Sequence, residues 1–290
     1  MNFCRLCGSS RLAVRESVSV AKLMSCYAFD TARFFTGSEV VLLACLDCGV
    51  QLYDEALPGD AEFYDRLQAI PQYYDGDKKE FEHAMAIIAS RQPTSVLDVG
   101  AGCGLFLRKL LRIPSLRVRA SELSEKSLAS LREAGIELDA AGDRYDFICS
   151  FQVFEHIADL RSIMSFVDDK LLPGGHLLVS VPNPESPLFS ETFAYLDYPP
   201  HHVNRFTKRA LESMGEILRY AQVDYWREPI RIEHLSSVVK SRRRKMLAAQ
   251  HLRRLQLLIG ALGDVVLLPT ILGSSAEVGH SHTMVYRKPV

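Results

Sequence analysis

The sequence lacks several features that would place it in a specialised class of protein. It has no stretch of about 18 uncharged apolar residues, the length that a membrane-spanning helix needs. Its N-terminus, MNFCRLCGSS, does not contain the apolar core of a secretory signal. The formal net charge is −1 and the pI is about 6.8, so no excess of positive charge favours nucleic acid. We therefore expect a globular protein of the cytoplasm that does not bind nucleic acid.

Cysteine is present, but in a pattern that argues against disulfides. Without a secretory signal, a chain with seven cysteines is expected in a reducing compartment, where metal binding or inert thiols are the usual outcomes. Four of the seven lie in two similar pairs, CRLCG (4–8) and CLDCG (45–49), each followed by the glycine that a zinc-knuckle turn favours. The pairs predict one structural zinc ion, and the alternative is four ordinary thiols. The predicted ligands are Cys4, Cys7, Cys45 and Cys48.

The order of apolar runs predicts an α/β fold. From Ser95 onward strand-like and helix-like runs alternate, which is typical of a parallel sheet flanked by helices. Ser124 and Thr207 are predicted N-caps. The predicted strands are 95–99, 117–122, 136–138, 145–151, 176–181, 222–227 and 283–287, and the predicted helices are 105–112, 124–134, 159–171 and 207–220. Residues 1–75 are predicted to form a small zinc-binding module, and residues 76–290 the larger domain.

A segment before the last predicted strand interrupts this alternation. Residues 234–279 are predicted to be a helical insertion, in which no acidic residue occurs from His234 to Gly263. Basic side chains between 240 and 254 precede the apolar stretch 255–273. This pattern suits the surface of an anionic membrane, so 240–273 is a candidate for peripheral membrane contact. The alternative is a contact within a homo-oligomer or a cover over the sheet.

The most informative motif is VLDVGAGCG (96–104). A buried strand ends in an acidic residue and is followed by three alternating glycines, which let the backbone turn sharply and approach a ligand. A dinucleotide-binding fingerprint requires glycine where this chain has Leu105. The motif instead resembles motif I of the Rossmann-like methyltransferases that use S-adenosylmethionine (SAM).

This resemblance extends over most of residues 80–230. Glu122 ends the second strand, where such enzymes place the acid that binds the ribose hydroxyls, and 145–160 and 171–183 resemble their fourth and fifth strands. The resemblance implies a seven-stranded Rossmann-like sheet and SAM as cofactor. It also implies these cofactor contacts: Asp98, Gly100, Gly102, Gly104, Glu122, Leu123, Asp143, Phe151 and Gln152. A solvated turn residue is the alternative for Asp143.

A second resemblance concerns the acceptor. Residues 44–76 resemble the zinc-binding segment of sugar C-methyltransferases, which implies that Tyr73 or Tyr74 reaches the substrate; an exposed or packing tyrosine is the alternative for either. HHVNRFT (201–207) resembles the Glu-His-x-x-Tyr-Phe-Ser element of those enzymes. It implies a hydroxyl or carbon of a sugar or polysaccharide precursor as methyl acceptor. Those enzymes are longer, with another domain after the SAM fold, which favours O-methylation here.

The histidines carry the predicted chemistry. The SAM methyl is already activated, so the enzyme must align a nucleophile and accept its proton, and histidine titrates near neutrality. His202 is the predicted base, His201 orients the acceptor, and His156 is a second candidate base. Packing is the alternative for all three. Metal binding by the adjacent pair is disfavoured, because their side chains should point apart and no acidic partner lies nearby in sequence.

Two other functions compete with this interpretation. Ribosomal RNA methyltransferases also place a zinc module before this fold, but the neutral charge and the absence of an Asn/Asp-Pro-Pro-Tyr motif argue against them. A catalytically silent SAM-fold subunit is the other alternative. The intact Asp98, glycines and Glu122 argue against that, and SAM affinity discriminates between the two.

Overall fold

The computed structural model describes residues 1–69, 78–186, 189, 194–229 and 279–290 of the chain. Two β-sheets organise these residues. The predicted boundary at 75/76, Tyr73, Tyr74 and the insertion up to 278 lie outside the described residues. In the part of the chain that the structure describes, no helix is both long enough and apolar enough to cross a bilayer.

The larger sheet has six strands: β4 Ser95–Val99, β5 Arg117–Ser121, β6 Tyr145–Phe151, β7 Leu171–Pro182, β9 Ala221–Arg227 and β10 Ser281–Arg287. Their order in the sheet is β5-β4-β6-β7-β10-β9. Strands β4 to β7 run parallel, and β10 lies antiparallel between β7 and β9.

Helices cover both faces of this sheet. They are α3 Lys79–Arg91, α4 Leu105–Leu110, α5 Glu125–Glu133, α6 Leu160–Lys170 and α7 Lys208–Leu218. Alternate residues of one strand enter different apolar clusters: Val96 packs with α3, α4 and α5, whereas Leu97 packs with α6 and α7. This division follows from the two-residue repeat of a strand that is buried on both sides. Ser124 and Thr207 cap α5 and α7 as predicted, since each hydroxyl accepts from a backbone N–H of the first turn.

The prediction of seven strands is not confirmed, because the described part of this sheet has six. The predicted strand 136–138 makes one isolated parallel bridge, between Ala120 and Leu138. The Ala120 N–H donates to the Glu137 carbonyl, and the Asp139 N–H donates to the Ala120 carbonyl. Pairing stops there because Asp139 turns away, and its carboxylate accepts from Tyr145 and Lys170. The segment lies at the sheet edge, but it is too short to form a ladder.

A second sheet, of four strands, was not predicted. Its order is β1-β2-β3-β8, from β1 Leu12–Ser19, β2 Glu39–Cys45, β3 Gln51–Asp54 and β8 Asn204–Arg205. Short helices α1 Val20–Met24 and α2 Ala61–Gln68 accompany it. Strand β8 pairs Leu52 with Asn204, so the N-terminal module takes its last strand from far along the chain. The two predicted units therefore meet at the segment that carries the adjacent histidines.

Candidate active site

A cavity of about 1100 Å³ opens beside the carboxyl ends of β4, β5 and β6. Its wall includes the glycine loop after β4, Glu122 and Leu123 after β5, and Phe151 and Gln152 at the end of β6. The crevice outside these strand ends is where open α/β sheets bind their ligands. Seven of the nine predicted cofactor contacts therefore lie around one space, and Gly104 is not part of its wall.

The glycine loop has a backbone that other residues would strain. Gly100, Gly102 and Gly104 have φ angles of +74°, +53° and +78°. A Cβ atom on Gly100 would lie 2.4 Å from Cγ2 of Val153, and one on Gly104 would lie 2.8 Å from Cδ2 of Leu131. Glycine is therefore required at both positions by conformation and by close packing.

Glu122 connects this loop to the next strand end. One carboxylate oxygen accepts from the Gly102 N–H at 2.7 Å, and the other accepts from the N–H groups of Leu123 and Ser124 at 2.7 and 2.8 Å. Because three backbone donors hold the carboxylate, it faces the cavity in a defined orientation. A carboxylate has further lone pairs, so it can still accept from ligand hydroxyls.

Asp98 presents a different kind of carboxyl group. It is buried at 2% exposure, and its Oδ1 has no hydrogen-bond partner among the described residues. Burial raises the pKa of Asp98 to about 8, and the nearby charge of Glu122 contributes to the rise. A ligand with a positive charge would stabilise the ionised form, so this position suits a cation.

The remaining predicted contacts divide into two groups. Leu123 is 92% exposed on the cavity wall, Phe151 packs on Phe81, and Gln152 donates to Glu80 at 3.2 Å. Asp143 does not belong to the described cavity wall. Its carboxylate instead accepts from Arg117 and Tyr145, as a turn residue would, so its predicted adenine contact gains no support.

Comparison with known proteins identifies the larger domain. Residues 74–217 match the family described as a methyltransferase domain. A ubiquinone biosynthesis O-methyltransferase of Dinoroseobacter shibae is 29% identical over 117 residues, which are 36% of this chain and 47% of that protein. Its counterpart from Parvibaculum lavamentivorans is 31% identical over 101 residues, which are 30% of this chain and 40% of that protein. The chain contains a SAM-dependent methyltransferase domain.

The aligned parts span about half the length, or less, of these curated relatives. A solved structure supports the fold of the methyltransferase domain. The phosphoethanolamine N-methyltransferase 2 of Haemonchus contortus, solved with SAM, superposes with a TM-score of 0.50 at 16% identity. The superposition covers 93% of this chain and 73% of that one.

The three predicted catalytic histidines lie together on the wall of the same cavity. His201 and His202 stack with ring centroids 4.5 Å apart, and His156 lies 4.6 and 4.9 Å from them. The premise that adjacent histidines point apart does not hold here. Both backbone N–H groups donate to the Tyr198 carbonyl, so a tight turn brings the two rings to one side.

Burial keeps these histidines neutral. Desolvation lowers the pKa of His156 to about 4 and lowers the pKa values of His201 and His202 well below the usual range. Neighbouring rings lower the last two further, because two positive charges would repel. At neutral pH each ring therefore has one donating and one accepting nitrogen. The role of His202 as base stays a prediction.

Sequence reasoning missed Glu155. It lies in the short 3-10 turn Phe154–His156, is 1% exposed, and has no hydrogen-bond partner for either carboxyl oxygen among the described residues. Burial raises the pKa of Glu155 to about 8. Its position directly before a predicted catalytic histidine was the available signal, although an acid in that position is usually exposed.

The four predicted zinc ligands also come together. Cys4 Sγ lies 3.5 Å from Cys48 Sγ, Cys7 Sγ lies 3.6 Å from Cys45 Sγ, and all four sulfurs lie within 4.8 Å of one another. Tetrahedral zinc with bonds of about 2.3 Å places its sulfur ligands about 3.8 Å apart, so the residues fit this ion. Gly8 and Gly49 follow the pairs with φ angles of +82° and +78°, which gives both knuckles the same turn. The cluster leaves no position for a substrate.

Hydrogen bonds connect the two cysteine knuckles (4–8 and 45–49) to the histidine wall, the part of the cavity lined by His156, His201 and His202. Arg5, between the first two cysteines, donates to the carbonyl of Tyr53 and to the side chain of Asn204. Asn204 in turn donates to the carbonyls of Phe154 and Ile157, on either side of Glu155 and His156. The small sheet therefore supports the histidine wall of the cavity as well as its own core.

Proposed function

We propose that the chain is a SAM-dependent methyltransferase that methylates a hydroxyl group of a small molecule. One observation carries this proposal: the glycine loop with Glu122 and the three histidines line the same cavity. A methyl transfer needs both substrates in line within one space. The cavity is large enough for the cofactor and an acceptor of modest size.

The cofactor end is assigned from charge and shape. Glu122 would accept from the ribose hydroxyls, Leu123 would cover the adenine, and Asp98 would face the positively charged methionine part. When bound, SAM supplies a methyl group on a sulfonium that is already activated for transfer. The chain must then bind the acceptor, exclude water and receive the proton.

Oxygen is the methylated atom that the histidines favour. A neutral imidazole can accept the hydrogen bond of a hydroxyl and hold its oxygen toward the methyl group. The curated relatives are named O-methyltransferases, which is consistent with this choice. The wall that follows His156 includes Ile157, Ile163 and Phe166. This apolar lining suits an acceptor with a hydrophobic body, whereas a sugar or polysaccharide precursor remains the prediction from sequence resemblance.

The proposal is tested by binding before turnover. Calorimetry should show one SAM site per chain in the purified protein. A Gly100→Val variant should remain folded by circular dichroism and lose SAM binding, with a lower unfolding temperature because the side chain strains the loop. Turnover is then followed as S-adenosylhomocysteine formed with a panel of phenols, sugar nucleotides and RNA. Product with phenols or sugar nucleotides supports a small-molecule acceptor and identifies its class, whereas product with RNA alone would favour the zinc-containing RNA methyltransferase.

A chain that binds SAM but transfers no methyl group to any of these acceptors would favour the silent subunit. Structural zinc at the four cysteines, a cytoplasmic location, a homo-oligomer and membrane contact through 240–273 also remain proposals. For the last of these, co-sedimentation with anionic vesicles at low salt is the direct measurement.

A further inference from the structure

The histidine wall has the donor arrangement of a metal centre. His156, His201 and His202 each offer one ring nitrogen, and these three atoms lie within 4.8 Å of one another. The Nδ1 of His156 lies 2.6 Å from the His201 carbonyl oxygen, and the Nδ1 of His201 lies 2.8 Å from the Leu196 carbonyl oxygen. A carbonyl that accepts from Nδ1–H fixes the tautomer with the lone pair on Nε2. Metal-binding histidines are oriented by such carbonyls.

A buried carboxyl group beside the Nε2 atoms is the second, independent observation. Glu155 Oε1 lies 3.9 Å from Nε2 of His156 and 4.0 Å from Nε2 of His202. Neither of its oxygens has a hydrogen-bond partner among the described residues, at 1% exposure of the residue. A carboxyl group that is buried there without a hydrogen bond costs free energy unless a charge partner lies close to it. A cation held by the three rings would be that partner.

We infer that His156, His201 and His202 bind one divalent transition-metal ion through Nε2, and that the neighbouring Glu155 carboxylate balances its charge. Imidazole ligands suit zinc, iron, nickel and copper. Three histidines around zinc, with bonds of about 2.0–2.1 Å, place the nitrogens about 3.4 Å apart, which rotation of the rings can reach. The site is distinct from the cysteine cluster: it lies on the cavity wall and keeps one coordination position open to that cavity.

The open position gives the ion a role, and this part rests on the proposed function. A hydroxyl oxygen of the acceptor would occupy that position, where a cation lowers the pKa of the hydroxyl group. The O–H bond breaks, and its proton passes to the Glu155 carboxylate or to water. The oxygen then forms a bond to the SAM methyl carbon while the methyl–sulfur bond breaks, and its electron pair remains on S-adenosylhomocysteine. The acceptor class is therefore one with a hydroxyl group that coordinates a metal.

The test counts metal ions in the full chain. Zinc is supplied to the reduced, chelator-treated protein, the excess is removed, and bound zinc is measured by mass spectrometry. We expect two ions per chain in the wild type, two in the control His176→Gln, and one in His202→Gln. One ion in the wild type, or two in His202→Gln, overturns the inference.

Two further measurements test the inference even if His202→Gln does not fold. In the wild type, the first equivalent of cobalt should give the thiolate charge-transfer band of the cysteine cluster, and the second should add only weak visible absorption. Glu155→Gln keeps the shape of the side chain and removes its charge, so it should weaken the second site about 10- to 100-fold without loss of folding. A second equivalent that does not bind to the wild type, or an unchanged affinity in Glu155→Gln, would contradict the inference.

SAM affinity measured on the same samples separates this inference from the proposed function. If SAM binds and only the cysteine cluster takes up metal, the histidine metal site is wrong and the proposed methyltransferase stands. If the histidine site takes up metal and SAM does not bind, the proposed function is wrong and the metal site stands.

Discussion

Asp98 and Glu122 are both acidic residues beside the glycine loop, yet their carboxyl groups meet opposite environments. Three backbone N–H groups hold Glu122, whereas Asp98 Oδ1 has no such partner among the described residues. The first carboxylate is therefore organised before any ligand binds, and the second acquires its charge partner with the ligand. The two residues should respond differently to pH and to substitution.

The first prediction concerns pH. The pKa of Asp98 is raised to about 8, so the carboxyl group is protonated below that pH in the ligand-free protein. Cationic SAM favours the ionised form, so binding releases a proton, and the affinity should rise by up to about tenfold per pH unit up to about pH 8 and then level off. Calorimetry in two buffers of different ionisation enthalpy measures both affinity and proton release.

The control for this prediction is Asp98→Asn, which should bind SAM more weakly and lose the pH dependence. A carboxyl group whose pKa is raised on folding stabilises the fold least above that pKa, since ionisation favours the unfolded chain. Asp98→Asn should therefore melt at a higher temperature than the wild type above pH 8. The same pH dependence of affinity in both proteins would show that Asp98 is not the responsive group.

The second prediction concerns Glu122. Glu122→Ala should weaken SAM binding by about 1.5–3 kcal/mol, the range for a hydrogen bond to a charged group. The loop also loses the acceptor for Gly102 N–H, so hydrogen exchange of residues 100–104 should become faster. Glu125→Ala, on the exposed first turn of α5, is the matched control and should leave both measurements unchanged. An unaltered SAM affinity in Glu122→Ala would rule out the ribose contact.

At the scale of elements, local signals and long-range pairings were not equally predictable. Strand β4 has its predicted bounds, because its apolar run is buried throughout and the glycines that follow it mark where the strand ends. Strand β8 has two residues and exists only by pairing with β3, about 150 residues earlier, which no local pattern encodes. The histidine cluster was missed as a cluster for the same reason, since His156 and His201 lie 45 positions apart in the chain.

The third prediction uses the link between β8 and the turn that carries His156. Asn204→Ala leaves the buried carbonyls of Phe154 and Ile157 without their donor, at a cost of about 1–3 kcal/mol each. We expect a lower melting temperature and a large loss of turnover, while the affinity for SAM stays within about twofold. Steady-state rates and calorimetry measure these quantities.

Ile88→Ala is the matched control for that prediction. It destabilises the core under the sheet by about 2–5 kcal/mol, similar to the cost of Asn204→Ala, without touching the histidine wall, and turnover should persist. Equal loss of turnover in both variants would show that the stability of the whole domain, and not the position of the histidine wall, limits the reaction.

At the scale of the whole molecule, the small sheet and the methyltransferase domain share one segment. Residues 198–207 contribute two histidines to the cavity, one strand to the small sheet and the cap of α7. Thr207 also donates to the carbonyl of Gly49, in the second knuckle. A change that destabilises the knuckles should therefore disturb the histidine wall more than the glycine loop, because β4 and β5 hold that loop independently.

The fourth prediction follows from that asymmetry. Cys45→Ser removes one of the four proposed zinc ligands, so the chain should no longer bind zinc at the cysteine cluster. Residues 1–54 and 198–207 should then lose hydrogen-exchange protection together. SAM should still bind within about threefold of the wild-type affinity. Methyl transfer should fall below detection, because the histidine wall is no longer held in position. Cys26→Ser changes a cysteine outside the cluster and is the matched control, which should keep zinc, protection and turnover. Suppose that Cys45→Ser loses zinc and still turns over at the rate of the control. The knuckles would then stabilise only their own sheet, and the methyltransferase domain alone would hold the histidine wall in place.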